Sequence, residues 1–266
     1  MREPVAKRAR AAYLSLQGWA KRNWMWLPFV PLLCFALFLI VWSLRGPEPG
    51  APDAGLVASS VPGVQEVLTD WKDRDRLLAA QKDTPDVIAW LRIPGTDLDE
   101  AVVQGPDNDT YLRRNVLGED DKYGCVFADY ECRIGADELS RSLILYGHTF
   151  DEDRTIGFGP LHDYQKMDFG LAHPLLYVTL PDAVLTYQVC SVGCVDTTRD
   201  ADCIAADPGD AAFQVLFDKA LNRSIYNYCV PLTLQDHVLT LSTCTNAPTT
   251  RLLVVAKLLT NTPIQP

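Results

Sequence analysis

The chain has 266 residues, enough for one large domain or two small ones. Its 48% hydrophobic and 22% charged residues are those of a globular protein and exclude a disordered, collagenous or low-complexity one. A net charge of −10 with only four histidines excludes a basic nucleic-acid binder. The average conceals an asymmetry: residues 1–45 hold seven Lys/Arg (Arg2, Lys7, Arg8, Arg10, Lys21, Arg22, Arg45) against one acid, Glu3, which leaves −16 on the rest.

No charged side chain lies between Arg22 and Arg45, and Met25 to Leu44 is an apolar run of 20 residues. As a helix rising about 1.5 Å per residue it covers about 30 Å, one membrane crossing. Trp24 and Trp26 at one end and Trp42 at the other suit the two interfaces. Six of the seven cations precede the run, so the positive-inside rule expects residues 1–24 in the cytoplasm and everything past Arg45 outside the cell. A cleaved signal peptide is the rival reading; the run is longer than the usual 7 to 15 residues and no small-x-small site follows it. Pro28 and Pro31 fall in the first turns of the span, where a lost backbone bond costs least. Residues 45–63, rich in Pro, Gly, Ala and Ser, read as a linker. An extracellular domain is expected over 64–266.

Within it, Val64, Val67, Leu68, Trp71, Leu77 and Leu78 recur at helical spacing and predict a first helix over Val64 to Gln81, with Asp70, Lys72 and Asp73 elsewhere on the wheel. Short β-rich runs follow: Val87–Ile93, Leu98–Gln104, Tyr123–Tyr130, Ser142–His148, Leu175–Leu180, Val184–Val195, His237–Cys244 and Arg251–Leu259. Eight such strands predict a mainly β domain, a barrel or a sandwich. Asp207-Pro208 reads as an N-cap and first helical residue; Phe213, Leu216, Phe217, Ala220 and Leu221 then form one apolar face. One helix, Pro208 to Arg223, is therefore expected before the last two strands.

Of eight cysteines, Cys34 lies in the apolar run and seven lie beyond it, an odd number that leaves at least one thiol unpaired. Cys244 ends the strand HVLTLSTC, Arg251 opens the strand RLLVVAKLL, and His148 ends LILYGH. A strand end is where a rigid sheet presents a side chain to a ligand. A cysteine nucleophile, a histidine acid/base and a guanidinium that lowers a thiol pKa or holds an oxyanion suffice for acyl transfer through a thioester.

The segments LILYGHTF, LTLSTCTN and RLLVVAKL resemble the His, T-L-x-T-C and Arg motifs of sortases, the membrane-anchored cysteine transpeptidases of Gram-positive cell surfaces. DVIAWLRIPGTDLDEAVVQGPDNDTYL and the helix before the cysteine strand further resemble class B sortases, and the likeness spans Val64 to Leu259. It implies a closed eight-stranded barrel with N-terminal helices. It also implies Cys244 as nucleophile attacking the carbonyl after the threonine of a sorting signal of Asn-Pro-x-Thr-x type. His148 would be the general acid/base and Arg251 the residue that holds substrate and oxyanion. Asn108, Leu112 and Ser242, with Thr243 beside it, match positions in the sorting-signal groove. The implied partners are the sorting-signal peptide of a secreted surface protein or pilin, and an amine of peptidoglycan or of a pilin lysine. Only six residues separate Cys244 from Arg251, a short loop for the family.

No cofactor and no metal is expected, because His162, His173 and His237 have no partner at ligand spacing and read as structural. The six other outer cysteines allow up to three disulfides of unreadable connectivity. The acidic surface reads as solubility, or as attraction for a cationic acceptor. Two further functions stay open: a catalytically silent anchored barrel that binds peptides, and a hydrolase in which water outcompetes amines.

Overall fold

The computed structural model describes residues 72–264, other than 151, 152, 154, 201, 202, 207, 246 and 248. The expected cytoplasmic segment, apolar run and linker, and the first residues of the expected N-terminal helix, lie outside the described residues. Among the described residues no helix is long and apolar enough to cross a membrane.

Helix α1 (Lys72–Asp83) leads into strands β1 (Val87–Arg92), β2 (Asp99–Val103), β3 (Val126–Ala128) and β4 (Ser142–Tyr146). A 3-10 turn, Gly159–Gln165, and helix α2 (Met167–Ala172) precede β5 (Leu175–Thr179) and β6 (Ala183–Asp196). Helix α3 (Asp210–Arg223) then precedes β7 (Val238–Cys244) and β8 (Thr250–Pro263). The eight strands close into a barrel in the order β1-β2-β3-β4-β7-β8-β6-β5, so the barrel, not the sandwich, is the outcome. Closure leaves no open sheet edge.

Two pairings, β2 with β3 and β4 with β7, are parallel, and the second positions the site. In a parallel pair both C-terminal ends reach the same rim of the barrel. Tyr146 is in register with Ser242, so His148 and Cys244, each two residues further on, leave β4 and β7 at the same level. Strand β8 runs antiparallel to β7 with Arg251 directly opposite Cys244. Three residues spread over a hundred positions thus meet through register alone.

The period-two alternation of strands assigns their faces. Leu239 and Leu241 of β7, with Leu252, Val254 and Ala256 of β8, fill the barrel. The alternate residues Val238, Leu253 and Val255 meet α3 through Phe213, Leu216 and Phe217. Burying each of these three side chains is worth about 1.5–3 kcal/mol. The same alternation carries Ser242, Cys244 and Arg251 to the outer face of the rim.

The departures from the expected elements have local causes. Asp73, expected away from the packed face, is 4% exposed because it pairs with Arg92 of β1 at 2.5 Å; α1 docks through this pair as well as through the buried Leu77. Arg76 reinforces this, bonding both Asp99 carboxylate oxygens and lying 4.1 Å over the Trp90 ring. Helix α3 starts at Asp210 with Gly209 as its cap in place of the expected Asp207, two residues after the expected first position, Pro208, whose carbonyl instead accepts from Arg141. Strand β3 shrinks to three residues because turns close on both sides of it, at Asp121 and at Asp129. Strand β4 stops at Tyr146, which frees His148 from the ladder. The turn Gly159–Gln165 and helix α2 were not foreseen.

Candidate active site

The rim encloses a cavity of about 410 Å³ lined by Asn108, Leu112, Phe127, Tyr146, Gly147, His148, Ser242, Thr243, Cys244 and Arg251. All seven residues singled out from the sequence lie in this wall. The volume is that of an ordinary ligand pocket.

His148 is half-buried, with Nε2 2.9 Å from the carbonyl of Leu112, which lies in a second 3-10 turn, Thr110–Arg113. A carbonyl only accepts, so Nε2 carries a proton and donates it there. That leaves Nδ1 to exchange a proton with the Cys244 thiol, to which the ring is hydrogen-bonded. The segment carrying the ring admits only glycine at two places. A Cβ on Gly147 would lie 2.7 Å from the Phe158 ring. At Gly157, with φ +56°, a Cβ would lie 2.8 Å from the His148 carbonyl, which accepts from Phe158 N at 2.9 Å.

Thr243 lines the cavity, yet its hydroxyl is committed: it is 1% exposed and donates to the Gly147 carbonyl at 2.7 Å. Its proton being used, it accepts from Thr149 at 2.8 Å. Both bonds tie the nucleophile strand to the residues flanking His148. Thr243→Val, which keeps the shape and loses the bonds, is expected to lower kcat on the order of tenfold with little change in KM, as misplacement of a catalytic group does. Steady-state kinetics check this.

The thiols differ in their electrostatics. Burial pushes Cys125 and Cys190 up to about 12, and Cys194 up as well. Cys244 moves the other way: the hydrogen bond from His148 lowers it most, burial opposes, and the charges of Arg251 and His148 lower it further. His148 is raised in turn, mainly by that hydrogen bond, with help from the Leu112 carbonyl and against burial and Arg113. These opposite shifts favour a thiolate–imidazolium pair. The Arg251 guanidinium is steadied by its bond to the Thr250 carbonyl at 3.2 Å.

Two features escaped the sequence reading. His162, which the sequence alone reads as structural, places Nε2 3.2 Å from the carbonyl of Cys244 and Nδ1 3.2 Å from Gln165. The carboxylate of Asp129 bonds two residues of the cavity wall, Asn108 and Tyr146. Neither belongs to a periodic pattern; Tyr146 and Gly147 alone had a signal, as the residues preceding His148 in LILYGH. His173 and His237 bond the carbonyls of Pro94 and Ser140 and are not among the residues lining the cavity. Cys125, Cys190, Cys194, Cys229 and Cys244 form no disulfide in this structure. Among the described residues no group of three or more His, Cys, Asp or Glu is placed to hold a metal ion.

Residues 91–259 match the sortase domain family. The chain is 32% identical over 172 residues to sortase B of Listeria monocytogenes, covering 64% of this chain and 68% of the relative. It is 30% identical over 190 residues to sortase B of Staphylococcus aureus, covering 70% and 75%. Among solved structures, the Staphylococcus aureus sortase B–substrate complex superposes with a TM-score of 0.64 at 28% identity, over 73% of this chain and 90% of that one. With this fold, and with a cysteine, a histidine and an arginine at one rim, the chain belongs to the sortase family and is a cysteine transpeptidase of the class B type.

Proposed function

We propose that the protein is a single-pass membrane enzyme, its N-terminus cytoplasmic and its catalytic domain outside, that cleaves a sorting signal after threonine and transfers the upstream protein to an amine. The carrying observation is the hydrogen-bonded Cys244–His148 pair with Arg251 opposite Cys244 at the mouth of the cavity. The basic N-terminus and the 20-residue apolar run support the anchoring.

The thiolate Sγ of Cys244 attacks the carbonyl carbon of the threonine, forming a C–S bond and a tetrahedral oxyanion that Arg251 stabilises. The C–N bond breaks as the imidazolium of His148 gives its proton to the leaving amine. The acceptor amine then loses a proton to His148 and attacks the thioester, so a new amide forms and the thiolate returns. Asn108, Leu112 and Ser242 contact the peptide, while Thr243 holds the wall. The acceptor is an amine of a peptidoglycan cross-bridge or of a pilin lysine, and the surplus of acidic residues favours such a cation.

The test is intact mass spectrometry of the full-length chain in detergent, under reducing conditions, with Asn-Pro-x-Thr-x peptides. The expected result is a mass increase equal to the peptide through its threonine, discharged by triglycine or a lysine amine. An intact thiol with no adduct from any of these peptides would overturn the reading.

A further inference from the structure

Asp129 follows β3, is 5% exposed, and spends its carboxylate on the cavity wall. Its Oδ2 accepts from the Asn108 amide at 2.9 Å and from the Tyr146 hydroxyl at 2.9 Å; its Oδ1 accepts from Glu131 N at 3.0 Å. The Asp129 backbone is fixed too, its N–H bonded to Ile144 O at 3.0 Å and its carbonyl accepting from Gln104 at 2.8 Å. On the other side of Asn108, Oδ1 accepts from Tyr130 N at 3.1 Å.

These bonds decide what the wall offers. Asn108 has its carbonyl oxygen on Tyr130 and one N–H on Asp129, so its remaining donor is the second N–H. Tyr146 donates its proton to Asp129 and retains an oxygen that only accepts. Its hydroxyl is held protonated, burial and the Asp129 charge both pushing its pKa up. Both residues line the cavity, and what they have left to offer a ligand is one donor and one acceptor, the complement of a peptide unit with its C=O and N–H.

We infer that Asp129 is a positioning residue which, acting through Asn108 and Tyr146, orients a polar pair to read the backbone of the incoming peptide. The inference rests on the proposed reading that the cavity takes a peptide. An isosteric amide at 129 has one acceptor oxygen where the carboxylate has two, so turned to accept from Glu131 N it sets an NH2 against the Asn108 and Tyr146 donors. The Asn108 amide would then be free to turn over, and its donor would be lost from the wall.

The experiment measures binding of fluorescein-labelled Asn-Pro-x-Thr-x peptides by anisotropy, using the full-length chain in detergent with Cys244→Ala throughout. Acyl transfer is then not required, and failure of the catalytic reading is separable from failure of this one. Asp129→Asn is expected to weaken binding about tenfold, as does loss of one well-made hydrogen bond. In an Asn108→Ala/Tyr146→Phe background the same substitution is expected to change affinity by less than about twofold. In the chain retaining Cys244, Asp129→Asn is expected to leave the rate of Cys244 alkylation by iodoacetamide within about twofold, followed by peptide mapping. A full tenfold loss in the double background would overturn the inference. So would slowed alkylation, which marks a general disturbance of the rim, and so would the absence of any peptide binding.

Discussion

A Cys244→Ala variant is expected to lose transpeptidation by at least about 10⁴-fold while still binding the peptide, because the substitution removes the nucleophile and leaves the cavity wall standing. His148→Ala is expected to cost about 10³-fold through the missing proton transfers. The two act as a unit, so the double variant should be no worse than Cys244→Ala alone. The pair also makes a spectroscopic and chemical prediction with a definite sign. The largest cause lowering the Cys244 thiol is its hydrogen bond with His148; without it, burial, which raises the thiol, is opposed only by Arg251. The inflection in the pH dependence of Cys244 alkylation should therefore move up in His148→Ala, toward or past the ordinary value near about 8.5. His148 in turn is raised by the thiol, so in Cys244→Ala its titration, followed by NMR, should move down. Stopped-flow acylation, alkylation across pH and the NMR titration of His148 check these statements. A silent peptide-binding barrel would show the reverse: equal behaviour of wild type and variants, and a Cys244 inflection that does not depend on His148.

The eight strands were legible because each is a short apolar run between turn residues, and the strand ends were legible to within a few positions. Helix α3 was legible from its apolar face, since Phe213, Leu216 and Phe217 do bury against β6 and β8. The three candidate residues were legible because strand-end Cys, His and Arg stand inside recognisable segments. Their convergence was not, because it depends on the parallel β4–β7 register and on the antiparallel placement of Arg251 against Cys244, and pairing partners leave no local trace. Asp73 was misplaced for a related reason. A helical wheel sorts residues by polarity and cannot show that Arg92, 19 positions later, waits across the interface. Asp129 and His162 share this blindness: each acts through hydrogen bonds to residues 17 to 82 positions away, and no periodicity encodes such bonds.

Arg251→Ala is expected to lower kcat by about 10²–10³-fold, the usual cost of removing one oxyanion donor. The strands argue for this role. Directly opposed residues of an antiparallel pair have Cβ atoms about 4.5–5.5 Å apart, so the two side chains leave the rim as neighbours whatever the length of the connecting loop. The six-residue connection therefore does not weaken the catalytic reading; its length bears on which peptide is accepted. Lysine should rescue only partly, because a single ammonium lacks the planar fork that bridges an oxyanion and a backbone carbonyl. The charge of Arg251 also lowers the thiol, as a smaller cause than the His148 hydrogen bond. The acid limb of the acylation rate should thus shift upward in Arg251→Ala, by less than in His148→Ala. Acylation rates across pH for the Ala and Lys variants decide the matter. A rise in KM with unchanged kcat and an unmoved acid limb would make Arg251 a ground-state anchor for the peptide and leave the oxyanion to other donors at the rim.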